Sequence, residues 1–175
     1  MKTITYEQFL KFEPCYLYNP DKKELMDSIA QRRERWSALD ILELSEIPSE
    51  DRIWAALWAE LIDAPLLHEF ACRCAERALR RVENPDPRSM RAIEVKRAWL
   101  RGEATDEELV AAEAAAWAAA EAAAGAAAWT AAEGAAWDAA RYAARAAALD
   151  AAEAAERQWQ IEELQKMLME VVENG

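Results

Sequence analysis

From Glu113 to Arg157 a marker residue stands at every fourth position: Glu113, Trp117, Glu121, Gly125, Trp129, Glu133, Trp137, Arg141, Arg145, Leu149, Glu153 and Arg157. Nearly everything between is Ala. Alanine is the strongest helix former, so the tract reads as helix. A period of four runs ahead of the 3.6-residue turn by about 40° per step, so the steps from Glu113 to Leu149 carry the markers about once around the axis. No straight helix can bury them all on one face. Either neighbours surround this helix, or it breaks, and Gly125 and Gly134 are the expected places. An unbroken helix from Asp106 to Val172 would extend about 100 Å, several times the width of a compact domain of this size. Two or three antiparallel segments are therefore expected, or one long helix covered by partner chains.

The chain ahead of the tract carries ordinary helix punctuation. Thr5 with Gln8 reads as a capping box that opens a short helix over Tyr6–Phe12, stopped by Pro14. Asn19-Pro20 opens a helix running to about Gln31, and Ser37 to Leu44 reads as one or two helical turns. From Ser49, the rows Ile53/Leu57/Leu61 and Trp54/Trp58/Ile62 predict one core-facing helix that ends at Asp63-Ala64-Pro65. The next helix repeats apolar residues at threes and fours from Leu66 to Val82. Asn84-Pro85-Asp86-Pro87 breaks the chain before a helix that Gly102 terminates. Thr105 with Glu108 is a second capping box, and Trp159, Ile161, Leu164, Met167, Leu168 and Val171 return to amphipathic spacing. The expected fold is all-α: a compact multi-helix domain over 1–102, then an Ala-rich helical hairpin or bundle over 103–175 that packs on it or serves oligomerisation.

Charge narrows the partners. The 33 acidic against 21 basic side chains give a formal charge of −12, which argues against DNA or RNA backbone binding, since counterion release needs clustered Lys and Arg. Glu7 and Glu13 interrupt what a signal peptide would need to keep apolar, and no stretch reaches about 18 uncharged apolar residues. Three Cys in this length exclude a disulfide framework. A reduced, cytoplasmic chain with no membrane span is expected.

Candidate chemistry is sparse. His68, Cys72 and Cys74 suggest zinc, but Cys74 lies about 200° around the helix from Cys72, so the three cannot converge on one ion. No nucleophile elbow, phosphate-binding loop, HExxH or Gly-rich dinucleotide turn occurs. No enzyme, cofactor or metal is expected. Glu69, Arg73 and Arg77 follow one another at i,i+4; Arg73 can pair with Glu69, or the Arg73 and Arg77 forks can meet an anion or a partner. In the tract, Trp137, Arg141 and Arg145 run along one ridge with Tyr142 beside them, and Trp129 lies two turns before Trp137. Arg forks take phosphate oxygens bidentately and aromatic planes stack on bases, so Trp129, Trp137, Arg141, Tyr142 and Arg145 form a candidate nucleotide site. Two of the three Arg set against eleven acids between Glu103 and Arg157 lie on this ridge. The same Trp can instead fill core layers, and Arg141 and Arg145 can pair with neighbouring acids.

The stretch DRIWAALWAELIDAPLLHEFACRCAERALRRVENPDPRS, followed by AIEVKRAWLRGEATDEEL and the Ala-rich tract, resembles an immunity-protein family of bacterial toxin-immunity loci, phages and prophages. The likeness runs from about Trp36 to the C-terminus and centres on Leu67-His68-Glu69-Phe70-Ala71-Cys72-Arg73-Cys74-Ala75-Glu76-Arg77. It implies a role in conflict between mobile elements and their hosts, and it brings no catalytic motif. Two functions are expected. One is a homo-oligomeric sponge that sequesters a nucleotide-derived immune signal in counter-defence; the other is an immunity protein that neutralises a basic toxin by direct contact.

Overall fold

The structure is a computed structural model that describes residues 1–11, 20–57, 61–119 and 139–174. The fold is helical, as the sequence predicts, with one small sheet. In chain order the elements are β1 (Thr3–Thr5), α1 (Tyr6–Leu10), α2 (Pro20–Ala30), β2 (Arg35–Ser37), α3 (Ala38–Leu42), α4 (Ser49–Ala56), α5 (Ala64–Leu79) and α6 (Pro87–Leu100). A helix described over 106–119 (α7) follows, and then α8 (Ala139–Asn174). Among the described residues no helix is long and apolar enough to cross a membrane.

The chain divides into two compact units: Met1–Leu67 with Ala155–Gly175, and His68–Ala154. The end of α8 belongs with the N-terminal elements, because its amphipathic face finds its apolar neighbours there.

In the first unit β1 and β2 pair antiparallel, with Ile4 opposite Trp36 and both buried. Each strand runs directly into a helix. Thr5 ends β1 and caps α1, its hydroxyl accepting from the Gln8 N–H; Ser37 ends β2 and caps α3, its hydroxyl accepting from Asp40. Both caps hold extended backbone angles, which an N-cap requires and a strand shares, so no loop is needed. In both boxes the third helical side chain bonds back to the cap N–H, and each cap is worth about 1 kcal/mol. Arg35 secures the sheet edge through hydrogen bonds from Nε to Thr3 Oγ1 (2.7 Å) and from Nη2 to the Thr3 carbonyl (2.8 Å). The large buried apolar side chains are Ile4, Phe9, Ile29, Trp36, Ile41, Leu42, Ile53, Leu61 and Ile62, with Ile161, Leu164, Met167 and Leu168 from α8.

One helix is shorter than its pattern. The rows from Ser49 predict a helix through to Asp63, yet α4 ends at Ala56 with Leu57 as its C-cap. Ile53, Leu61 and Ile62 are buried as expected, whereas Trp54 is 44% exposed, and Trp58 lies outside the described residues. Apolar spacing reports which residues leave water, and a turn can bury Leu61 and Ile62 as well as a helix can.

In the second unit the punctuation holds. Asp86 caps α6 with Pro87 at its first position. Gly102 ends it at φ +73°, the Gly102 N–H reaching the Trp99 carbonyl (2.9 Å) and the Glu103 N–H the Ala98 carbonyl (2.8 Å). This paired closure needs a left-handed residue after the cap. A Cβ there would meet nothing within 4 Å, so Gly102→Ala carries backbone strain alone. Chemical denaturation is expected to show a loss of about 1 kcal/mol. Thr105 and Glu108 form their reciprocal box (2.9 and 3.2 Å) and open α7. On α7, Val110 and Trp117 are 63% and 71% exposed, so Trp117 does not fill a core layer of the kind the tetrad pattern suggests.

Candidate functional site

Three places are candidates, two of them named by the sequence. The tetrad ridge falls partly outside the described residues: Trp129 and Trp137 lie there, as do Gly125 and Gly134. Arg141, Tyr142 and Arg145 lie in α8, a helix from Ala139 onward, so positions 141 and 145 share one face, about 6 Å apart along the axis.

Arg73 and Arg77 lie on α5, and Arg73 donates from Nε to Glu69 Oε1 at 3.2 Å. The centre of this cluster is a residue that sequence spacing did not reveal. Arg97, on α6, turns its whole fork inward. Nε and Nη2 reach both oxygens of Glu69 (each 3.0 Å), while Nη1 and Nη2 reach both oxygens of Glu76, the latter at 3.2 Å. Two bidentate carboxylates on one guanidinium use four of its five N–H donors. Burial pushes the Glu69 carboxyl upward, but the hydrogen bonds from Arg97 and Arg73 outweigh it and hold the pKa below its ordinary value. Bonding to Glu69 and Glu76 in turn raises Arg97. Arg77 is half-buried and also engaged. Arg73 is therefore part of an internal charge cluster, one of its two alternatives in the sequence. Arg97 stands 28 residues from Glu69, and no helical spacing connects them.

Beside the cluster, Trp99 meets His68 edge to face (centroids 6.0 Å apart, planes at 88°), carries Lys96 over its ring at 4.4 Å and donates Nε1–H to Asp106 at 2.7 Å. Of the zinc candidates, Cys72 is buried, and burial pushes its thiol up. Cys74 is half-buried.

The third place is a cavity of about 560 Å³ in the first unit, which the sequence did not announce. Every element from β1 to α4 contributes to its wall. Phe9, Ile29, Trp36, Ile41 and Trp54 make the wall apolar, with Phe9 and Trp54 meeting edge to face at 6.1 Å. Lys22, Glu50, Asp51 and Arg52 supply its charge. Lys22 faces Asp51 and Arg157 faces Glu50, each at 3.6 Å. Arg52 donates Nη1–H to the Leu42 carbonyl at the end of α3 (2.7 Å), but its Nε–H is buried without an acceptor among the described residues. An orphaned buried donor of this kind costs about 1–3 kcal/mol.

No family model, no curated protein and no solved structure matches the chain. Its function is therefore read from these sites and from the sequence.

Proposed function

We propose that the chain is a non-catalytic binding protein of phage or mobile-element origin that sequesters a nucleotide-derived immune signal in the cytoplasm of a bacterial host. The ligand is a cyclic dinucleotide or a cyclic ADP-ribose product held between protomers of a homo-oligomer. Trp129, Trp137 and Tyr142 stack on its bases, and Arg141 and Arg145 take its phosphates. The observation that carries this reading is the helical course of α8 from Ala139, which gives positions 141 and 145 a common face. Exposed Val110 and Trp117, two turns apart on α7, support self-association by leaving apolar surface of the same tract to be covered.

The test is native mass spectrometry of the purified protein with a panel of cyclic dinucleotides and cyclic ADP-ribose. A multimer that gains one such mass and releases it unchanged is expected. Arg141→Ala with Arg145→Ala should weaken binding about a hundredfold, since two charge-assisted contacts are lost. The variant's circular dichroism should be unchanged, because Ala favours helix. A monomer that binds none of the panel, or a double variant that binds as well as the parent, overturns the reading.

One observation favours the immunity reading as the second. Many basic side chains are already matched to acids within the chain, among them Lys2, Lys23, Arg32, Arg33, Arg88 and Arg101. The surplus acid is then what a basic toxin would meet, steering its approach. Such binding would weaken with salt and ignore the double variant.

A further inference from the structure

We propose that the cavity of the first unit is a binding site for a small amphipathic monocarboxylate, which places its apolar body between Phe9, Ile29, Trp36 and Trp54 and its carboxylate on Arg52. Its volume of about 560 Å³ lies within the usual range for small-molecule sites, and such sites combine an apolar wall with a few placed polar groups.

The charge pattern selects the ligand's head group. Asp51 and Glu50 each have a basic partner, Lys22 and Arg157. Arg52 makes no ion pair within 4 Å among the described residues; one arm of its fork is spent on the Leu42 carbonyl, and its Nε–H is buried without an acceptor. A guanidinium whose Nε–H and Nη2 groups lack acceptors among the described residues matches the two oxygens of a carboxylate. The acid that senses the Arg52 charge, Glu46, is already paired with Arg32. A di- or triphosphate would bring more negative charge than one guanidinium can meet, beside two carboxylates. The apolar wall requires the rest of the ligand to be hydrocarbon or aromatic. This site is separate from the tetrad ridge and does not depend on it.

The test uses the whole protein and two probes, decanoate and decanol, followed by tryptophan fluorescence and titration calorimetry. Decanoate is expected to bind once per chain, at least about tenfold more tightly than decanol, the discrimination that one charge-assisted contact supplies. Arg52→Met should reduce decanoate to the level of decanol and leave decanol unchanged. Should that variant fail to fold, Arg52→Lys, which keeps the charge but lacks the planar edge, is expected to weaken decanoate alone by several-fold. Leu25→Trp, which fills the cavity from its outer wall, should abolish both. Arg141→Ala with Arg145→Ala should change neither. Equal affinity for the two probes, no binding of decanoate up to about 1 mM, or an Arg52 variant that binds decanoate as tightly as the parent overturns the proposal.

Discussion

Arg97→Met is expected to lower the melting temperature by about 4–10 °C, the shift that a loss of 2–3 kcal/mol produces in a chain of this length. The side chain is replaced by one of similar reach, so the loss is chiefly electrostatic. Without the guanidinium, Glu69 and Glu76 face each other with side chains only 30% and 23% exposed, and Arg73 reaches one oxygen of Glu69. Removing one partner of a buried pair costs more than the pair was worth, because the charge left behind remains desolvated. The effect should depend on pH with a definite sign. Glu69 has a folded-state pKa below its ordinary 4.5. Its stabilising contribution is therefore present above that value and is lost as pH falls through the folded-state pKa. The gap between parent and variant in urea midpoint should be full at about pH 7 and should shrink as pH falls below 4.5 and through the lowered pKa of Glu69. A gap that stays constant with pH would mean that Arg97 acts by packing its stem.

What the sequence disclosed and what it hid follow from the range of each interaction. Thr5/Gln8, Thr105/Glu108, Asp86-Pro87 and Gly102 are signals within four or five residues, and each appears in the structure where the pattern puts it. The Ala-rich tract announces helix by composition, and the part of it in α8 is helix. Pairing of Ile4 with Trp36 was not legible, because strands of three residues carry no periodicity and their register is set by burying those two side chains together. Equally hidden was the end of α4 at Ala56, since its C-cap, Leu57, is no helix breaker. The charge cluster shows the same limit. Spacing identified Glu69 and Arg73 as one turn apart but could not supply Arg97 from another helix, although Arg97 supplies most of the hydrogen bonds. The cavity was illegible for a related reason: six elements contribute to it, and its informative atom, Arg52 Nε, is notable only for lacking an acceptor.

The end of α8 gives the second large effect. Leu164→Ala is expected to cost about 2–5 kcal/mol, since Leu164 is fully buried and Ile161, Met167 and Leu168 around it are nearly so. Three methyl-sized groups leave a void that neighbours on a helix fill only partly. Met169→Ala, half exposed on the same helix, should stay within about 0.5 kcal/mol. The informative readout is where the damage spreads. Amphipathic spacing fixes which face of α8 is buried and leaves its partners open, whereas contacts join Ala155–Gly175 to Met1–Leu67. Hydrogen exchange in Leu164→Ala should therefore accelerate around Ile29, Leu42 and Ile62, more than a hundred residues away in sequence, as much as it does around Met167. Exchange around Phe70 and Ile93, in the other unit, should change less. Acceleration confined to 155–175 would mean that the tail is a helix merely resting on the first unit, and would remove it from that unit's core.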